Sequence, residues 1–258
     1  MIFFQTIAVA FAMFSAIPCP QPMWTEKNMR YSMCAFPLVG LACGLFWWIW
    51  VALMNGLGGT NLLQAAGLCI IPVLVTGGIH LDGYADTSDA LASGASPERK
   101  KEILKDPQCG AFAVIRLCVW FIAYFALCAS IHWNTQALWC MTFVFVLERC
   151  LSGFAVTAFP MAKNTGLAHM FAQTADKIRV RNLLIAASAV VVLLLVVVGG
   201  LAGGVMALAA GWILWRYHRI AMREFGGITG DLAGWFLQRA ELWMLAALAT
   251  VQMLEKMQ

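Results

Sequence analysis

Long apolar stretches alternate with short polar stretches along almost the whole chain. Each apolar stretch approaches the roughly 20 residues that a helix needs to cross a bilayer core about 30 Å thick. The pattern predicts an all-α fold: a polytopic integral membrane bundle of about seven or eight transmembrane helices. The predicted spans are residues 2–17, 35–54, 62–79, 111–132, 137–159, 183–199, 203–218 and 233–254.

The polar stretches fall into two groups. Short uncharged turns lie near 56–61, 133–136 and 199–203. Thirteen of the seventeen Lys and Arg residues lie instead in four longer loops, which the positive-inside rule places on the cytoplasmic face. The sequence therefore predicts one membrane domain over residues 1–258, with its chemistry at the cytoplasmic face of the inner membrane. The four loops are 18–34, 80–110, 160–182 and 216–232.

Composition agrees with a bilayer environment. Apolar residues make up 62% of the 258 residues and charged residues 12%, against about 25% charged in soluble domains. A soluble globular domain is excluded, and nothing indicates a nucleic-acid partner. The recurring apolar stretches exclude a single-pass anchor. Runs of small residues at 199–200 and 203–204 permit close helix packing within one chain or between two copies.

The second polar loop begins with three carboxylates, Asp82, Asp86 and Asp89, at i, i+4 and i+7. On a helix they form one stripe, where like charges repel unless a cation neutralises them. Oxygen ligands of this kind suit Mg²⁺, which can clamp a phosphoryl group. The alternative is a solvated helix start with capping aspartates. His80 beside them is either a structural residue or a substrate contact.

A glycine-rich segment, Gly226-Gly227-Ile-Thr229-Gly230-Asp231, precedes the last span. Backbone N–H groups of successive glycines can converge on an anion, next to the positive end of the following helix. We therefore predict substrate binding by Gly226, Gly227, Thr229 and Gly230, and a fourth carboxylate from Asp231. Alone, the segment is equally consistent with a tight turn.

Two basic residues are further candidates for substrate binding. Lys105 belongs to a basic cluster that either receives a nucleotide phosphate or acts only as an orientation signal. Arg149 lies within a predicted span, where a charge is costly, so we expect it to face a buried partner or an anionic ligand. Glu241 in the last span is its expected partner, or that of Arg239.

The motif from Gly77 to Asp89, the segment from Gly226 to Asp231 and the order of the spans resemble the cobalamin synthase family, the adenosylcobinamide-GDP ribazoletransferases. The resemblance covers nearly the whole chain, although the 160–182 loop diverges. It implies a Mg²⁺-dependent membrane transferase that joins adenosylcobinamide-GDP to α-ribazole, or its 5′-phosphate, and releases GMP in the last steps of cobalamin biosynthesis.

The implied reaction gives roles to the candidate residues. Asp82 and Asp86 are assigned to the metal, with Asp89 and Asp231 as a further ligand and a general base in an order that spacing does not fix. His80 is a third catalytic candidate.

Two other functions remain open at this point. The CDP-alcohol phosphotransferases also use Asp-rich motifs, but theirs has two residues between Gly and Ala, where this chain has only Tyr84, and an Arg where Asp86 stands. A membrane transporter would explain a charged residue within a span, yet such sites lie at the midplane and accompany repeats.

Overall fold

The computed structural model describes residues 2–163 and 165–257 of the chain. Helices account for 81% of the structure, which confirms the all-α class. Within the described residues the helices are α1 (Ile2–Phe14), α2 (Glu26–Met29), α3 (Ser32–Leu57), α4 (Asn61–Thr76), α5 (Ile79–Ala92), α6 (Pro97–Ile103), α7 (Ala111–Ser130), α8 (Thr135–Ala158), α9 (Leu167–Thr174), α10 (Lys177–Ile220) and α11 (Gly230–Glu255), with a π-helical turn at Ala221–Phe225 between the last two.

Short polar side chains determine where several helices begin. Thr60 accepts a hydrogen bond from the Leu63 N–H at the start of α4, and Asn134 accepts one from Ala137 at the start of α8. These bonds satisfy backbone donors that the first helical turn leaves without partners. The turns predicted from composition therefore coincide with capped helix starts.

Four described helices are long and apolar enough to cross a membrane, or five if α4 and α5 form one broken span. The predicted number of seven or eight is thus not fully confirmed. Helix α1 has 13 residues, about 20 Å, which is too short for a bilayer core of about 30 Å. The first predicted span is therefore an apolar helix of insufficient length.

Helix α10 is one of the four, yet its 44 residues fold back on themselves. Gly200 has non-helical backbone angles (φ 55°, ψ −127°), and a Cβ on Gly203 would collide with the Leu195 carbonyl. In a continuous helix, residues eight apart would be about 12 Å apart along the axis. The chain therefore reverses at Gly200, as the predicted turn at 199–203 requires.

The four long polar loops meet at one end of the bundle. Arg30 pairs with Asp176 at 3.0 Å, Lys100 pairs with Glu224, and Met161 forms an isolated parallel β-bridge with Ile228. The turns lie at the opposite end, where the His132 N–H donates to Gln252 Oε1 (2.9 Å) and Gln136 Nε2 donates to the Val198 carbonyl (2.9 Å). We call the first of these the loop end.

Helix α8 is the central helix, with most of its side chains buried. Trp47 from α3 packs edge to face on Phe145 of α8, with ring centroids 5.0 Å apart, and on Tyr124 of α7 at 6.4 Å. Outer helices instead expose large apolar side chains such as Ile122 (69% exposed). Such an apolar exterior is typical of a surface covered by lipid.

Candidate functional site

A sharp bend at the loop end directs the acidic helix across the bundle. Helices α4 and α5 meet at 95°. Between them, Gly77 (φ 66°) and Gly78 (φ 78°) both adopt the left-handed conformation, which costs glycine little and other residues more. The two glycines of the predicted motif thus explain why α5, with His80 and the three aspartates, does not continue along the axis of α4.

Helix α5 then crosses α11 with backbone against backbone. A Cβ on Gly83 would lie 2.7 Å from the Asp231 carbonyl oxygen, and one on Gly234 would lie 2.9 Å from the His80 carbonyl oxygen. Real Cβ atoms do not approach so closely, so only glycine permits this crossing. It is the feature that brings Asp231 next to the Asp82 and Asp86 region, although 145 or more residues separate them in sequence.

A cavity of about 470 Å³ lies at this crossing. Its polar half contains two predicted carboxylates, Asp82 and Asp231, together with Lys105 and Lys163. Thr229 and Gly230 from the glycine segment also line it. Acidic and basic side chains thus face one space, an arrangement that suits a phosphate ester bound with a divalent cation.

His80 also lines the cavity. Its side chain is 5% exposed, and its Nε2 has no hydrogen-bond partner among the described residues. Buried polar atoms are nearly always paired in folded proteins, so an unpaired one at a cavity wall indicates a place for a ligand atom. His80 thus stays a candidate for a substrate contact, and the structure places it at the cavity wall.

The other two aspartates lie beside the cavity. Asp86 is within electrostatic range of Asp82, Asp231 and Asp89. Asp89 lies against Gly110, where a Cβ would collide with its carboxylate oxygens. Neither residue lines the cavity. Asp89 is thus removed from the substrate space, and His80 and Asp231 remain as the candidates for a base there.

The carboxylates do not form a closed metal cage. No group of three or more His, Cys, Asp or Glu side chains within residues 2–163 and 165–257 is arranged to hold a metal ion. Mg²⁺, however, is usually held by one or two carboxylates with water and substrate phosphates completing its shell. Asp82 and Asp231 fit that requirement by donor type and position, whereas Asp86 and Asp89, the other predicted ligands, do not line the cavity.

The glycine segment is built differently from the expected anion cradle. The N–H groups of Gly226, Gly227 and Ile228 donate to the carbonyls of Met222 (3.2 Å), Ala221 (3.0 Å) and Pro160 (2.8 Å). Because these donors are already used, they cannot bind an anion. Gly226 and Gly227 also do not line the cavity, so their predicted role in substrate binding is corrected to a turn.

Thr229 connects the turn to the cavity. Its hydroxyl accepts the Leu232 N–H (3.2 Å), which caps α11, and donates to Asp231 Oδ2 (3.3 Å). The first turn of α11 therefore presents Asp231 at the cavity with its orientation constrained. The substrate contacts predicted for Thr229 and Gly230 remain consistent with their positions.

Lys163 is a site residue that the sequence did not identify individually. The bridge between Met161 and Ile228 fixes its loop, because the Ala162 N–H donates to the Ile228 carbonyl (2.9 Å). Partial burial lowers the pKa of Lys163, nearby Asp231 opposes this, and Lys105 and Lys101 lower the pKa further. Only its place in a divergent polar loop could have pointed to it.

Arg149 does not reach the cavity. It is 1% exposed and pairs with Glu148 at 2.7 Å, while also donating to the Phe145 carbonyl (2.9 Å). Its guanidinium carbon lies 5.8 Å from the Phe36 ring, and Phe36 lines the cavity whereas Arg149 does not. The structure thus supports the buried-partner alternative for Arg149 and does not support substrate binding.

The partner also differs from the one expected. Glu241 forms no ion pair within the described residues and instead accepts a hydrogen bond from the Tyr124 hydroxyl at 2.6 Å. The expectation that Glu241 pairs with Arg149 or Arg239 is therefore wrong, since the neighbouring Glu148 already occupies Arg149.

Comparison with known proteins decides the family. The family model described as cobalamin-5-phosphate synthase matches residues 6–249. The chain belongs to this family. No solved structure matches the chain.

Relatives of the cobalamin-5-phosphate synthase family cover almost the same length. A protein from Lachnoclostridium phytofermentans is 40% identical over 247 residues, which are 96% of this chain and 93% of the relative. A Pseudomonas putida protein is 34% identical, covering 89% and 90%, and a Clostridium perfringens protein is 29% identical, covering 92% and 94%. Each of the three relatives is named adenosylcobinamide-GDP ribazoletransferase.

Proposed function

We propose that this protein is a Mg²⁺-dependent adenosylcobinamide-GDP ribazoletransferase. It joins adenosylcobinamide-GDP to α-ribazole or its 5′-phosphate, giving adenosylcobalamin or its 5′-phosphate and GMP. The observation that carries the proposal is the cavity in which Asp82 and Asp231 face Lys105 and Lys163, in a chain of this family. The motif spacing argues against a CDP-alcohol phosphotransferase, and the position of the cavity at one end argues against a transporter.

The reaction is a phosphoryl-group transfer. The ribazole hydroxyl oxygen attacks the phosphorus joined to cobinamide, and the bond from that phosphorus to the bridging oxygen of the pyrophosphate breaks. GMP leaves with that bridging oxygen. Negative charge gathers on the phosphoryl and leaving-group oxygens, so catalysis depends mainly on positioning and electrostatic stabilisation.

Different residues of the cavity are assigned to metal binding, phosphate binding and proton transfer. Asp82 and Asp231 would hold the metal ion, with Asp86 reinforcing the negative field. Mg²⁺ bound there would supply charge neutralisation to the pyrophosphate. Lys105 and Lys163 bind phosphate oxygens from the other side. His80 Nε2, or the Asp231 carboxylate where Asp82 alone holds the metal ion, accepts the proton of the attacking hydroxyl, since both residues line the cavity.

The loop end is proposed to lie on the cytoplasmic face of the inner membrane. Three contacts bring the four loops with thirteen of the seventeen basic residues to that end, and such loops stay cytoplasmic. Both substrates and the metal would then enter from the cytoplasm.

The decisive test is turnover by purified protein in lipid nanodiscs, with GMP release measured by chromatography. Asp82→Asn should lower kcat by about 100-fold or more, because a metal-binding charge is lost while shape is kept. Asp106→Asn is the control, since Asp106 is exposed on the same loop and accepts only the Gln108 N–H. Undiminished turnover with excess chelator, or with Asp82→Asn, would refute the metal assignment.

A further inference from the structure

The half of the cavity opposite the polar half is lined mainly by apolar side chains. It has no role in the transfer chemistry described so far. Its side chains come from five helices that are distant in sequence. This apolar half consists of Phe14, Met33, Phe36, Val156, Phe171 and Leu237. Three of the six are aromatic, and two pairs of rings are in contact: Phe14 lies 4.3 Å from Phe36 and 5.5 Å from Phe171, centroid to centroid.

The apolar half adjoins the polar half at His80. The His80 ring lies 5.8 Å from the Phe36 ring, and its Nε2 has no partner in the described part of the chain. A ligand that satisfies both surfaces has a flat apolar end against the phenylalanines and a polar end within reach of His80 and Asp82. Small-molecule sites commonly combine an apolar lining with a few placed polar groups in this way.

The inference that follows rests on the proposed function, which supplies two substrates of very different size. The corrin macrocycle of adenosylcobinamide-GDP far exceeds a nucleoside in bulk. The cavity, at about 470 Å³, lies in the range of sites for small molecules and accommodates a nucleoside but not that macrocycle. Only the pyrophosphate end of the larger substrate can therefore enter.

We propose that the apolar half of the cavity binds the bicyclic aromatic base of the acceptor nucleoside, with Phe14, Phe36 and Phe171 as its specificity-determining residues. The base lies against the rings, and the attached ribose reaches His80. Its hydroxyl then faces the phosphate held between the aspartates and the lysines. The corrin stays outside the cavity.

This arrangement determines which bases are accepted. The six side chains of the apolar half provide only the weakly accepting sulfur of Met33, and Ser152, one turn before Val156 on α8, adds a single hydroxyl to the lining. A purine with an exocyclic amino group and several ring nitrogens would lose more bonds to water than one hydroxyl replaces, whereas methyl groups on the base would gain buried area. The site should therefore prefer a methylated benzimidazole to a purine.

The first test uses Phe14→Leu and Phe171→Leu, which keep an apolar side chain and remove the ring. The KM for α-ribazole should rise about two- to twelvefold, the range expected for a lost aromatic contact. The KM for adenosylcobinamide-GDP should stay unchanged. Phe145→Leu is the control, because Phe145 is buried like Phe171 but does not line the cavity.

The second test varies the acceptor with the unaltered protein, so it does not depend on any variant folding. Removing each methyl group from the base should raise the KM of the riboside by about fourfold. An adenine riboside should be a weaker acceptor than the unmethylated benzimidazole riboside.

Two outcomes would overturn the assignment: an unchanged acceptor KM in both variants, or an adenine riboside used as well as the methylated one. A higher KM for adenosylcobinamide-GDP alone would place the larger substrate there instead. These results differ from failure of the proposed function itself, in which the unaltered protein would release no GMP with any acceptor.

Discussion

Two groups of charged side chains stand out among the apolar stretches of the sequence, and the structure places them in different environments. In the middle of the bundle, Glu148 and Arg149 are each about 1% exposed and paired at 2.7 Å. At the cavity, Asp82 and Asp231 form no ion pair within residues 2–163 and 165–257. Charges that the protein satisfies internally stabilise its packing, whereas charges left facing a cavity are available to a ligand.

The comparison predicts that the buried pair matters most for stability. Arg149→Met should destabilise the protein by about 3–5 kcal/mol, because Glu148 is left buried without its counter-charge. Thermal unfolding in detergent measures this. Arg99→Met, which breaks the exposed pair with Glu102, should leave the midpoint unchanged. If instead Arg149→Met kept the midpoint and lost turnover, Arg149 would belong with the site.

The helix crossing offers a way to disturb the cavity without touching a charge. Gly234→Ala should cost about 1–3 kcal/mol of stability, since its Cβ would meet the His80 backbone at 2.9 Å. Because the crossing positions Asp231 relative to Asp82, turnover of the folded protein should fall as well. Gly211→Ala is the control, because a Cβ there meets nothing within 4 Å. Full activity in Gly234→Ala would show that the crossing does not control the site.

The smallest predicted effect concerns Lys163, a charged side chain that faces the cavity from its basic side. Lys163→Met should raise the KM for adenosylcobinamide-GDP by roughly tenfold, the value of one charge-assisted hydrogen bond, with little change in the unfolding midpoint. Lys177→Met is the control, since Lys177 starts α10 and does not line the cavity. A change in kcat with an unchanged KM would instead show that Lys163 stabilises the transition state and does not bind the substrate before reaction.

The parts of the fold that hydropathy determines could be predicted from sequence. Apolar runs gave the positions of α3, α4, α7, α8 and α11, and the glycines near 200 gave the reversal within α10, because both depend on neighbouring residues. The length of α1 was overestimated, since an apolar run continues past Phe14 into residues that are not helical. Local composition does not show where such a helix ends.

The site was predictable only in part, for a physical reason. Asp82 and Asp231 carry their chemistry in their own motifs. The glycine segment was misinterpreted, because the Gly226 and Gly227 N–H groups bond to carbonyls of the preceding π-helical turn. The Ile228 N–H bonds to the Pro160 carbonyl, far away in sequence. The apolar half of the cavity and the position of Lys163 likewise depend on contacts between distant segments. Such contacts leave no spacing pattern in a single sequence.

The contact between Gly83 and Gly234 also limits how the protein can respond to its substrates. No side chain lies between the two backbones at this contact, so α5 and α11 cannot approach further. The site therefore cannot close by a further approach of these two helices, so closing around the substrates requires other elements or side-chain rotations. The two helices act as a fixed frame on which the reactants align.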